Sequence, residues 1–222
     1  MKTIAIVSRK GGAGKTTIAL HLAVACQALG LSVAVFDLDP QASAALWGDR
    51  RDGSGPTVIP AQAPRLAALL DQARAQEADL VILDTAPHAD SIASDSASLA
   101  DAILIPCRPS GLDLDAIGAS VKLANATGKP AYVIVNAAPV QGSETDQMQA
   151  ALQKAGVNVS PVVLHQRKAF ASFIQEGKSA LESEPKGRAA EEMNELALWV
   201  CEKVTKLPIK KSRKLPIREN AA

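Results

Sequence analysis

The chain has 222 residues, a formal net charge of +1 and 47% hydrophobic residues: enough for one sizeable core, with too little charge imbalance to name a partner. Aromatic residues make up only 3%, so the core is built from Ala, Val, Leu and Ile, and the stacking platforms of a single-strand nucleic-acid binder are disfavoured. Cys26, Cys107 and Cys201 are far apart and odd in number, which argues against a disulfide framework or a cysteine zinc site and for a reducing cytosol.

In chain order, short β-branched runs alternate with Ala/Leu-rich stretches. Strands are expected at Thr3–Val7, Ser32–Phe36, Leu80–Leu83, Ala102–Ile105, Ala131–Val135 and Val159–Val163, with a short one at Thr57–Ile59. Their nearly continuous apolar character marks parallel strands covered on both faces. Helices are expected at Thr16–Leu29, Ala63–Gln76, Leu114–Ala126, Thr145–Ala155 and Ala189–Val204. Strands separated by helices imply right-handed crossovers, hence an α/β fold with a doubly wound, mostly parallel sheet and helices on both faces.

The segment Gly48–Pro64 is rich in Gly, Pro and charge and reads as a surface excursion, not a boundary. One domain over residues 1–204 is expected. Beyond it the core pattern stops: KLPI occurs at Lys206–Ile209 and again at Lys214–Ile217, and its prolines oppose a continuous helix. Residues 205–222 read as a basic, flexible or extended tail. No signal peptide is visible, and no apolar run approaches the roughly 20 residues of a membrane-spanning helix. A soluble, cytoplasmic protein is expected.

Between the first strand and the first helix lies Arg9-Lys10-Gly11-Gly12-Ala13-Gly14-Lys15-Thr16-Thr17. Read in the compressed form G-G-x-G-K-T, it is a phosphate-binding loop. Glycines let successive backbone N–H groups turn toward phosphate oxygens, and the helix N-terminus adds partial positive charge. Lys15 is expected on the β- and γ-phosphates and the Thr16 hydroxyl on Mg²⁺. Lys10 is left over.

The run Lys10-Gly-Gly-Ala-Gly-Lys15-Thr-Thr resembles the deviant Walker A loop of the ParA/MinD superfamily of P-loop ATPases. In that family the early lysine reaches across a nucleotide-sandwich dimer, so the resemblance implies that Lys10 serves the partner's nucleotide. Val35–Trp47, VFDLDPQASAALW, resembles the family's D-x-D-P-Q segment: Asp39 would orient or activate the attacking water and Asp37 would sit near Mg²⁺. Four apolar residues ending in Asp84 read as a Walker B strand that holds Mg²⁺ through a water. Thr85-Ala86-Pro87 would be a switch loop, while His88 reads as a solvated loop residue. Pro106, Pro109 and Asp113 fall in a segment matching a loop near the family's dimer interface. Asn136 ends a strand where relatives commonly place an asparagine that reads the adenine edge. The stretch from Leu164 to Val200 is similar to the ParA-type ending. One departure is Ser8-Arg9, where many relatives carry Asn.

The resemblance implies an ATPase, slow and partner-stimulated, that partitions or positions a cargo. The small, ParF-like class, which has no helix-turn-helix upstream, is the expected branch. ATP with Mg²⁺ would close a homodimer that holds nonspecific duplex DNA of the nucleoid, with affinity falling as salt rises. A cargo-bound adaptor of ParB type would stimulate hydrolysis and release. The expected nucleotide contacts are Gly11, Gly12, Ala13, Gly14, Lys15, Thr16, Thr17 and Asn136. Arg167, Lys168, Lys178, Lys186, Arg188, Lys210, Lys211, Arg213 and Lys214 are the candidate DNA contacts. A MinD-like membrane-surface switch is the alternative, but Pro208 and Pro216 interrupt the amphipathic helix it needs. No stable membrane association is expected.

Overall fold

The computed structural model describes residues 1–209 except 54, 88, 110 and 173, and of residues 111–116 the backbone alone. Six strands form one all-parallel sheet in the order β3-β2-β4-β1-β5-β6: β1 Lys2–Ile6, β2 Val33–Asp37, β3 Thr57–Pro60, β4 Leu80–Asp84, β5 Ala102–Cys107 and β6 Ala131–Val135. The helices are α1 Lys15–Ala28, α2 Ser43–Asp49, α3 Leu66–Ala75, α4 Asp90–Leu99, α5 Gly111–Ala126, α6 Glu144–Lys154, α7 Ala169–Ser172, α8 Ala180–Ser183 and α9 Arg188–Trp199.

Alternation along the strands splits the core in two. Ile4, Ile6, Val35, Ile82, Leu104 and Ile134 face α1 and α9. Ala5, Val7, Phe36, Leu83, Ile105 and Val135 face the other side, against Leu70, Ala97 and Ile117 of α3, α4 and α5. Because both faces are covered, the strands carry unbroken apolar runs, as their composition implied. α1 is itself sandwiched between sheet and α9, so it is buried from Ile18 to Cys26 with no polar stripe.

Five elements differ from expectation, one expected strand and four helices. Val159–Val163 is not a strand: Ser160 N–H donates to the Val133 carbonyl at 2.8 Å and Leu164 N–H to Val135 at 2.9 Å, with only isolated bridges at Val159 and His165. Pro161, which has no N–H to give, stands between those bonds and breaks the ladder. α2, α4, α7 and α8 lie outside the expected helices, and α7 and α8 are only four residues each. α2 is short and lies in the Asp-Pro segment, and α4 (DSIASDSASL) buries only Ala93, Ser96 and Ala97, too weak an apolar stripe to register. At the C-terminus α9 widens into a π-turn over Val200–Thr205. Leu207 and Ile209 still pack against the first core, so the ordered body continues past residue 204. Among the described residues no helix is long and apolar enough to cross a membrane.

Candidate active site

The strand order reverses at β1, which pairs with β4 on one side and β5 on the other. That switch point opens a crevice at the carboxyl ends of the strands, and the glycine loop enters it directly from β1. Gly14 takes φ 96° at the N-cap of α1, and no side chain caps the helix, so its first amides keep their donors for an anion. A Cβ at Gly14 would also collide with Asn136 Nδ2. Asn136 is buried after β6 and donates to the Ala13 carbonyl at 2.8 Å. The expected adenine-reading amide thus spends one of its two donor hydrogens on the loop itself.

Lys15 is 6% exposed, and its ammonium donates to the Ser8 carbonyl at 3.3 Å. Burial pulls its pKa below the usual lysine value, while Asp84 and Asp39 act in the opposite direction. Strand register supplies the carboxylates: Asp84 pairs with Ile6 of β1 and with Asp37 of β2. Asp84 is fully buried, and neither carboxylate oxygen makes a well-formed hydrogen bond. Burial pushes its pKa up to about 7; the neighbouring Thr16 hydroxyl lowers it, Asp37 raises it and Lys15 lowers it.

Asp37 is occupied. Its Oδ1 accepts from Asp39 N–H at 3.0 Å and its Oδ2 from Ala45 N–H at 2.9 Å, so it ties the β2–α2 loop and caps the start of α2. Asp39 is half-buried in that loop and accepts from Gln41 N–H at 2.9 Å. After β4, the buried Thr85 hydroxyl donates to the Ile6 carbonyl at 2.8 Å, pinning the start of the expected switch loop beside the phosphate loop. Lys10 is half-buried and lines a small crevice with Ser8, Ala13 and Cys107.

These residues fit a magnesium nucleotide. Asp84 offers a buried carboxylate without a well-formed hydrogen bond, with the Thr16 hydroxyl beside it. Among the described residues no three His, Cys, Asp or Glu groups can hold a metal by themselves. Mg²⁺ suits such a site, since it takes one or two protein ligands and completes its shell with phosphate and water. On the far side of Gly14 and Thr17 a cavity of about 630 Å³ opens, walled by Arg108, Asn136, Pro139 and the segment from His165 to Ala171. A nucleoside whose phosphates lie in the loop would occupy it.

The family described as CobQ/CobB/MinD/ParA nucleotide binding domain matches residues 4–180. The chain belongs to that family. Carboxysome distribution protein A of Halothiobacillus neapolitanus is 29% identical to it over 210 residues, 87% of this chain and 94% of its own. An ATP complex of a Cyanothece McdA variant shares the fold at TM-score 0.75 and 19% identity, over 96% of this chain and 99% of its own. MinD of Pyrococcus horikoshii OT3 with Mg-ADP does so at TM-score 0.76 and 20% identity, over 92% and 97%. Identities that low bear on the fold alone.

Measured against a MinD/ParA domain, the basic residues are scattered in their commitments. Lys168 and Lys186 are exposed. Lys178 pairs with Glu176 at 3.2 Å, Arg188 with Glu191 at 2.9 Å and Arg167 with Glu192 at 2.7 Å. Lys210, Lys211, Arg213 and Lys214 lie outside the described residues, as do His88 and the Asp113 side chain. Sequence reasoning passed over Glu192, which is 9% exposed and gathers His165 and Arg167. A lone Glu in an Ala/Glu-rich helix carries no signal of that.

Proposed function

We propose that this MinD/ParA-family ATPase is a ParA-type positioning protein, which hydrolyses ATP with Mg²⁺ and carries a cargo over the nucleoid. The observation that supports it most is the placement of two lysines on one glycine loop. Lys15 is buried against Ser8, whereas Lys10 is half-buried in a separate crevice with Ala13 and Cys107. In this reading Lys15 serves the phosphates in its own loop and Lys10 those of a second copy.

In the mechanism, the amides of the loop and of the α1 N-terminus hold the phosphate oxygens, and the Lys15 ammonium leaves Ser8 for the β- and γ-phosphates. Thr16, Asp84 and Asp37 would hold Mg²⁺, which when bound would supply positive charge to neutralise the phosphoryl groups. Asp39 orients the attacking water. Lys10 of the facing subunit stabilises charge growing on the transferred phosphoryl group, which makes hydrolysis depend on dimer closure. Closure joins basic surfaces of both subunits, including Lys168, Lys178, Lys186, Arg188 and the basic residues after Ile209, against DNA phosphates. A cargo-bound partner then stimulates hydrolysis and release. The Halothiobacillus neapolitanus relative is named for the maintenance of carboxysome distribution, so a protein assembly joins plasmid and chromosome as a cargo class.

The test is binding to random-sequence duplex DNA with ATP, ADP or no nucleotide over a salt series. Binding with ATP alone, lost as salt rises, is expected. ATP-dependent dimers that bind no DNA in any state would overturn the nucleoid reading and make anionic liposomes the next surface. Lys15→Ala is the control: normal ATP-driven dimers in that variant would refute the phosphate-loop assignment.

A further inference from the structure

The cavity beside the phosphate loop has one wall that belongs to no strand or long helix. It is the strap from His165 to Lys168, which lines the cavity together with Asn136 and Thr17. A strap of backbone without a ladder needs other restraints to hold a shape. On one side it is tied to the chain after β6: Ala138 N–H donates to the Leu164 carbonyl at 3.0 Å and Gln166 N–H to the Ala138 carbonyl at 2.8 Å.

On the other side the restraint is a single carboxylate from α9. Glu192 Oε2 accepts from the His165 backbone N–H at 3.0 Å. Its Oε1 accepts from Arg167 Nε at 3.1 Å and Nη2 at 2.7 Å, and is shared with His165 Nδ1 at 2.9 Å. The Arg167 cation and the His165 donors hold the Glu192 carboxyl below its ordinary pKa, against the opposing effect of burial. A hydrogen bond at Nδ1 fixes the orientation of the ring. The residues so fixed, His165 and Arg167, are ones that line the cavity.

We propose that Glu192 is a positioning residue for nucleotide binding, which shapes the nucleoside side of the site by holding the His165–Lys168 strap. It touches no phosphate. It acts through His165 and Arg167, so Arg167 belongs to the nucleoside wall rather than to a DNA surface. The inference rests on the nucleotide reading above, and it separates the site into two halves that fail independently: a loop that binds phosphates and a strap that binds the nucleoside.

Two ligands distinguish them. ATP engages both halves; inorganic tripolyphosphate engages the loop alone. Calorimetric titration of the full chain with each, in Mg²⁺, is run on wild type, Glu192→Ala and Glu192→Gln. Glu192→Ala is expected to weaken ATP by about tenfold or more, the usual scale for losing a group that orients a binding residue, with tripolyphosphate unchanged. Glu192→Gln retains an acceptor for the His165 N–H and falls between. A steady-state assay should show the loss in KM, with kcat nearly kept. Unchanged ATP affinity in both variants overturns the proposal, and so does an equal loss for ATP and tripolyphosphate. If Glu192→Ala does not fold, Glu192→Gln decides alone by the same criterion. A wild type that binds neither ligand would instead sink the nucleotide reading, and this proposal with it.

Discussion

Two buried carboxylates, Asp84 at the end of β4 and Glu192 on α9, receive opposite treatment. Asp84 is fully buried with no well-formed hydrogen bond, and its pKa rises to about 7. Glu192 is 9% exposed, surrounded by donors, and its pKa falls. A buried polar group without partners is costly, so a fold keeps one where a ligand completes it. A buried group with all its partners is architecture. Hydrogen-bonding thus separates the two: Asp84 is left for what the proposed function would bring, and Glu192 is already satisfied.

The largest effect expected from breaking this contrast is Asp84→Asn. In the folded protein without nucleotide, Asp84 holds its proton up to about pH 7, whereas unfolded it releases it near 3.8. The folded state therefore binds more protons across that window, and wild type loses stability as pH rises through it. Asp84→Asn should match wild type near pH 4 and exceed it at pH 8 by up to about 4 kcal/mol, while losing stabilisation by Mg-nucleotide. Denaturant titrations in EDTA check this; parallel pH profiles for the two proteins would refute it.

His21 gives the next effect, with the opposite sign. It lies in α1 with Nδ1 donating to the Thr17 carbonyl at 2.9 Å, and burial lowers its pKa from 6.5 to about 4. The unfolded chain binds the proton first, so stability is present above pH 6.5 and lost as pH falls through 4. His21→Leu should remove roughly 3 kcal/mol of that acid-side loss. If thermal melts of variant and wild type fall equally between pH 7 and 4, His21 is not the group responsible.

Asn136→Ala sharpens the contrast within the loop. It leaves the Ala13 carbonyl without its partner and should cost about 1–3 kcal/mol of stability without nucleotide, measured by urea unfolding. A cost near zero would mean the loop holds its shape without that tie. The smallest effect belongs to a surface pair: Arg188, exposed and paired with Glu191 three residues on, should lose under about 0.5 kcal/mol on change to Ala. As a DNA contact, however, the same change should reduce the salt slope of binding by about one. An unaltered slope would remove Arg188 from the DNA surface.

How much of this was legible in the sequence depends on the range of the interaction. The glycine loop, Lys15, Thr16 and the apolar run into Asp84 are local patterns, and the structure brings them to one crevice. The β-strand at Val159–Val163 was misread because composition reports burial but not whether Pro161 leaves a ladder unbroken. α2, α4, α7 and α8 leave no mark because short helices with few buried residues carry little periodicity. Asp37, expected beside Mg²⁺, has both oxygens engaged by the amides of Asp39 and Ala45, a use that only the loop's folded path creates.

By itself, then, the sequence determined the doubly wound parallel architecture, the phosphate loop after the first strand and the carboxylates at strand ends. Periodicity and turn chemistry act over a few residues and need no partner from afar. Tertiary structure alone decided that Asn136 locks the loop at Ala13, that Arg51 stacks on Trp47 while gripping Glu182, and that Glu192 holds the His165–Lys168 strap. Asn136 with Ala13, Arg51 with Glu182 and Glu192 with His165 each join residues distant in the chain, where geometry and desolvation, neither of them written in local pattern, set which donor meets which acceptor.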